Sequence, residues 1–143
     1  MKLDEVFAEV QRLAHGASPK SLRGAWTPAQ AIAHCAESLE CNLDGFPEPK
    51  SPWFQATVGR AALKVFLARG RISHDVDAPV PGLPAPPDVP IGDAVARLGL
   101  VIERAKAART FAPHAVFGEM SKSEVLAFHA MHLEDHLRDL AAD

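Results

Sequence analysis

Apolar residues recur at helical spacing in five stretches of the chain, and the polar residues at their borders mark where each helix starts and stops. The first spans about 4 to 15, with Val6, Phe7, Val10 and Leu13 on one side and Gly16 as its stop. The second opens with Thr27-Pro28-Ala29-Gln30, a capping box with proline at the first helical position, where its missing N–H is not needed. It should run to Asp44, because Gly45 can take a left-handed stop and Pro47 cannot continue a helix. A third starts at Ser51-Pro52 and passes through Trp53, Phe54, Val58, Leu63, Val65, Phe66 and Leu67 to Gly70. The fourth covers about 93 to 110, with Val95, Leu98, Val101 and Ile102 facing inward. Ser121-Lys122-Ser123-Glu124 is another capping box and opens a fifth helix expected to reach about residue 141.

Almost nothing reads as a strand. The pattern therefore predicts an all-α protein, a four-helix bundle with one extra or split helix. Between the third and fourth helices, residues 71–91 hold six of the chain's 12 prolines. Such a stretch is expected to be extended and polyproline-like. A connection of this length is either a covering segment or a stiff crossover, and the sequence leaves both open. Neither half of the chain has enough helices to close a core alone, so residues 1–143 read as one domain.

The last helix carries the most informative pattern. His129, His132 and His136 follow i, i+3 and i+7 spacing and fall within roughly a 60° arc at about 100° per residue. Val125, Leu133 and Leu140 share that arc, whereas Lys122, Glu134, Asp135 and Arg138 lie elsewhere on the wheel. Imidazoles in an apolar seam need partners for a donor and an acceptor each, and a divalent cation is the simplest. His132 and His136, one turn apart, can both reach one ion. A third ligand must come from another helix, and His34 is the best candidate, although it sits nearly opposite the Ile32, Ala36, Leu39 and Leu43 cluster of its own wheel. Periodicity alone leaves His34 undecided. His129 reads as a packing group or as a donor to a carboxylate beside the site. His15 reads as a C-terminal cap and His74 as solvated.

Composition narrows the remaining choices. With 15 basic and 18 acidic residues and a net charge of -3, bulk attraction to nucleic acid is not expected. No stretch approaches the ~20 apolar residues of a membrane span, and the acidic, amphipathic start of the chain does not resemble a targeting segment. Cys35 and Cys41, the only cysteines, do not form a disulfide framework, which fits a reducing, cytoplasmic setting. Neither has an activating base at a recognisable spacing. Glu37 and Glu119 are the acids to inspect as a general base, though both also read as ordinary surface glutamates.

Trp26-Thr27-Pro28 followed by His34, then His114-Ala115-Val116-Phe117-Gly118, then His132-Leu133-Glu134-Asp135-His136-Leu137-Arg138-Asp139-Leu140 together resemble the DinB/YfiT-like superfamily. The likeness is to a branch of unknown function with a His-Pro-x-Phe-Gly motif and a final His-x-x-x-His-Leu-Arg-Gln-like helix. It implies an up-and-down four-helix bundle with a divalent metal, zinc, nickel or manganese, held by His34, His132 and His136. It also implies a small-molecule substrate and tilts the reaction toward metal-dependent thiol transfer, with a low-molecular-weight thiol as one candidate partner, whereas a water on the open position of such an ion would give hydrolysis. Ala115 replaces the motif's proline and Asp139 its glutamine, so the turn is expected to be less rigid and the site more negative. His114, Phe117 and Gly118 read as a turn that anchors the last helix, with His114 also able to line the site. The rival reading is a non-catalytic ligand-binding or interaction bundle whose working surface is Trp53, Phe54, Phe66 and the proline-rich segment. A two-fold dimer is compatible with either.

Overall fold

Both capping boxes form as their residues require. Thr27 Oγ1 accepts from Gln30 N at 3.2 Å while Gln30 Oε1 accepts from Thr27 N at 3.0 Å. Ser121 and Glu124 repeat the exchange at 3.2 and 2.9 Å. The chain is seen as a computed structural model describing residues 1–15, 20–21, 24–138 and 140–141. Five helical stretches follow: α1 (Leu3–His15), α2 (Pro28–Asp44), α3 (52–69), α4 (Ile91–Ala107) and α5 (Lys122–Leu137). The Gly16 stop, Asp139 and the side chain of Leu140 lie outside the described residues.

Helices α1, α2, α4 and α5 pack against one another as a bundle, with α2 most extensively on α4, and α3 lies along α5 as the extra helix. Val6 and Val10, Ile32 and Leu39, Leu98 and Ile102, and Val125 and Leu133 meet in the core. Each such side chain contributes roughly 1.5–3 kcal/mol by leaving water. A second apolar cluster, Leu63, Ile72, Phe117, Phe128 and Met131, joins α3 to α5. Arg60 docks α3 further by a bidentate pair to Glu124, at 3.1 and 2.8 Å.

Helix ends depart from expectation for physical reasons. Gly45 has φ 119° and ψ 144°, a glycine conformation but not the left-handed helical one, whereas Gly70 does take it, at φ 71° and ψ 14°. Helix α4 stops at Ala107, and the ammonium of Lys122 at the start of α5 donates to the Lys106 carbonyl there. Helix α5 stops at Leu137, because Leu140–Ala141 pair antiparallel with Lys20–Ser21. Helix α3 is interrupted by a π-helical turn, Gln55–Gly59. A Cβ on Gly59 would lie 1.8 Å from the Val116 carbonyl oxygen, so only glycine lets α3 approach the 114–118 turn this closely.

Residues 71–90 form no helix or strand and serve as a strap. Asp77 accepts from Ala25 N at 2.8 Å, Gln30 Nε2 donates to Pro86 O at 3.0 Å, and Thr27 Oγ1 donates to Asp88 at 2.8 Å. These bonds bind the strap to the start of α2. Among the described residues, no helix is long and apolar enough to cross a membrane.

Candidate metal centre

The start of α2 and the end of α5 lie at the same end of the bundle, and there His34, His132 and His136 converge. Each offers a ring nitrogen within 4.8 Å of those of the other two. All three are buried, at 5, 6 and 3 % exposure. His34 escapes the one-sided wheel reading because α2 has no single buried face: α4, α5 and the strap together bury Ala31, Ile32, Ala33, His34, Cys35 and Ala36 in succession.

His34 Nε2 lies 3.3 Å from His132 Nε2. Two nitrogens bound tetrahedrally to one ion at ~2.0–2.1 Å would be about 3.3 Å apart. The Nδ1 atoms of both rings are buried without a hydrogen-bond partner. One shared N–H and two orphaned nitrogens make the pair a net cost to folding, at about 1–3 kcal/mol per unsatisfied group. A cation on the Nε2 side would offset it. Burial, then His74, lowers the His34 pKa to about 4. Burial, followed by His136, His34, His74 and His129, pushes His132 well below its ordinary value. Both imidazoles are therefore neutral near pH 7, the form that ligates metal. The donor set fits a divalent cation of the zinc, nickel or manganese kind. Trp26 covers the cluster, its ring 5.1 Å from His34 and stacked on His136 at 6.5 Å.

A fourth histidine stands beside these three, and it corrects the expectation that His74 is solvated. His74 Nδ1 is 2.6 Å from Asp135 Oδ2, and its Nε2 is 3.1 Å from His136 Nε2. Asp135, off the histidine arc of its helix, is buried at 2 % exposure and accepts from Arg138 at 2.7 Å as well. Arg138 also donates to the Ile72 carbonyl at 3.1 Å, holding the strap where it delivers His74.

The other histidines have separate tasks. His129 Nε2 donates to Asn42 Oδ1 at 2.9 Å, and Asn42 in turn donates to Ala112 O at 2.9 Å, so His129 is a packing group whose partner is an amide. His15 Nδ1 donates to Gln11 O at 2.7 Å, in the last turn of α1. His114 Nδ1 accepts from Val116 N at 3.1 Å and Phe117 N at 3.4 Å, which leaves its proton on Nε2. The same turn closes through the paired backbone bonds of His114 and Gly118, with Gly118 at φ 72°.

A cavity of about 210 Å³ opens beside the cluster. His34, His74, His114 and His132 line it together with Phe66, Phe117, Phe128, Val80, Pro79 and Pro81, and among the described residues no aspartate, glutamate, lysine or arginine borders it. Glu37 and Glu119 border other hollows, Glu37 with Glu40, Cys41 and Arg97, and Glu119 with Pro52 and Arg60. Trp53 is 71 % exposed and does not border the histidine cavity, whereas Phe66 does. Both cysteines are free, and burial, reinforced by Asp135, pushes the Cys35 thiol strongly up. Burial and then Glu37, Glu40 and Asp44 raise Cys41, so neither is poised as a thiolate.

The sequence model of the family described as protein of unknown function (DUF1569) matches residues 1–143. No curated protein and no solved structure matches the chain.

Proposed function

The chain belongs to the DUF1569 family, to which no function is assigned, and we propose that it is a metal-dependent enzyme on a DinB-like bundle, acting on a small molecule in the cytoplasm. In this reading His34, His132 and His136 hold a divalent cation, zinc, nickel or manganese. One observation carries it: three buried imidazoles from two helices, His34, His132 and His136, bring their ring nitrogens within 4.8 Å of one another, and His34 and His132 line a cavity. When bound, the cation would supply Lewis acidity, favouring the deprotonated form of a thiol or a water. The chain's own residues position the substrate and exclude solvent. Phe66, Phe117, Phe128 and Val80 give the cavity an apolar wall suited to an uncharged, largely hydrophobic group. Its volume of about 210 Å³ compares with the ~150 Å³ cavity that takes up benzene in another protein. A low-molecular-weight thiol would have to enter by a small apolar portion, because among the described residues no lysine or arginine borders the cavity to receive a carboxylate.

A second reading, metal binding or ligand binding without turnover, is favoured by a specific observation: neither Glu37 nor Glu119 borders the cavity. Purification without a histidine tag, metal analysis for zinc, nickel and manganese, and reloading test the proposal. The parent chain is expected to hold close to one equivalent and His132→Ala to lose it. Less than about a tenth of an equivalent in the reloaded parent would sink the metal-centre reading. With the metal present, turnover of apolar thiols or esters separates enzyme from binding protein.

A further inference from the structure

His74 contributes a nitrogen to the cluster from the strap, a segment outside the helices. We propose that His74 is a fourth protein ligand to the cation held by His34, His132 and His136, so that metal binding fastens the proline-rich strap across the end of the bundle. This rests on the three-histidine reading above.

Geometry and hydrogen-bond chemistry carry the assignment. Asp135 has no hydrogen to give as a carboxylate, so the 2.6 Å contact to His74 Nδ1 places a proton on Nδ1, and the neutral ring then carries its lone pair on Nε2. A carboxylate behind one ring nitrogen, with the other aimed at a cation, is the usual way a ligand histidine is oriented and made more basic. His74 Nε2 lies 3.1 Å from His136 Nε2. If His136 presents that nitrogen to a cation, two lone pairs face each other at this distance, which is unfavourable unless positive charge lies between them.

The four rings also form one regular group. The centroids of His34–His132, His34–His136, His74–His132, His74–His136 and His132–His136 are 5.1, 5.2, 4.9, 4.8 and 4.9 Å apart. His34 and His74 thus each stand against both members of the His132–His136 pair. A six-coordinate ion accommodates that arrangement and keeps positions for a substrate, whereas four ligands would fill a tetrahedral one. His74 is not among the three residues whose ring nitrogens all lie within 4.8 Å of one another, so ligation draws the strap a short way inward.

Cobalt(II) is the probe, added to the metal-free, tag-free full chain and followed by calorimetry, by its visible spectrum and by amide hydrogen exchange of residues 73–83. In the parent chain cobalt is expected to bind and to slow exchange in the strap. His74→Ala should weaken binding by about tenfold or more, change the spectrum and remove the strap protection. Asp135→Asn, which keeps an acceptor but not the charge, should weaken binding by less. Parental affinity and spectrum in His74→Ala would mean that His74 only hydrogen-bonds to His136, and would overturn the proposal while leaving the three-histidine site intact. Failure of His132→Ala to reduce binding would instead sink the three-histidine reading and this proposal with it. If His74→Ala does not fold without metal, exchange in the parent decides: unchanged strap amides on cobalt addition overturn the assignment.

Discussion

Lowering the pH of the metal-free protein from 7 to 5 should unfold it, because its buried histidines are held neutral by their surroundings. Burial lowers His34 and His114 to about 4, and His129 to about 3, with neighbouring histidines adding to the effect at His34 and His129. His132 is displaced in the same direction by the same causes. The ordinary value, 6.5, applies once the chain unfolds. Each ring therefore takes up its proton more readily in the unfolded chain. Its contribution to stability is whole above about pH 6.5 and is lost as the pH falls toward the folded-state value. For a group displaced from 6.5 to about 4, the loss at pH 5 is roughly 2 kcal/mol. The three groups His34, His114 and His129 give an upper figure of about 6 kcal/mol, a large share of the 5–15 kcal/mol that stabilises a typical domain, and His132 adds in the same direction. Urea melts followed by far-ultraviolet circular dichroism at intervals from pH 7.5 to 5 measure the slope directly. Independent titration of these three gives roughly 3.5 kcal/mol per pH unit between pH 5 and 6. His129→Gln, which retains an amide donor for Asn42, should reduce that slope by about 1.2 kcal/mol per pH unit. A parent slope below about 1.4 kcal/mol per pH unit, equivalent to a single proton, would refute the claim that these rings are buried neutral.

Two predictions address the turn that supports the cavity floor. Gly59→Ala places a Cβ 1.8 Å from the Val116 carbonyl oxygen, so α3 must separate from the 114–118 turn; a loss of about 1–3 kcal/mol is expected despite alanine's better helix propensity. An unchanged or raised melting temperature would contradict it. Ala115→Pro restores the proline of the motif that the chain resembles, at a residue whose N–H makes no hydrogen bond among the described residues and whose carbonyl bonds to Lys50 N and Gln55 are kept. His114 before it is already in an extended bridge with Gly118, as a residue preceding proline requires. A gain of about 0.4–1 kcal/mol should follow, and a lower melting temperature would show that the turn needs the alanine backbone.

Helix starts were legible because a capping box is a local device: Thr27 and Gln30, or Ser121 and Glu124, need only each other. The arc of His129, His132 and His136 was legible for a related reason, since periodicity places residues on a face without knowledge of partners, and all three are buried. Periodicity does not divide that face by task. His129 is spent on Asn42, 87 positions away in sequence, while His132 meets His34, 98 positions away. The wheel for α2 gave no answer for His34 because it assumes one wet side. The π-helical turn in α3 was equally invisible, since what selects Gly59 is the approach of a carbonyl from residue 116.

The choice between a covering strap and a stiff crossover for residues 71–91 is resolved by Asp135. A carboxylate 2 % exposed at the end of a helix has little reason to leave water for the sake of packing, and burying such a charge is strongly unfavourable unless it is paired and hydrogen-bonded. Arg138 supplies one partner from the same helix and His74 supplies another from the strap. Withdrawing the strap would remove the His74 donor from a buried negative charge and release the Ile72 carbonyl from Arg138, while opening the apolar cavity to solvent along Val80 and the prolines. The crossover is thus built as a cover, fixed by charge at one end and by the cap of α2 at the other. Its prolines supply what such a cover needs: fixed φ angles that reduce the entropy lost on ordering an extended segment, and no N–H groups to be left without partners where it crosses an apolar wall. Proline content alone left cover and crossover equally open, and it is the buried aspartate beneath the segment that shows why the chain crosses here.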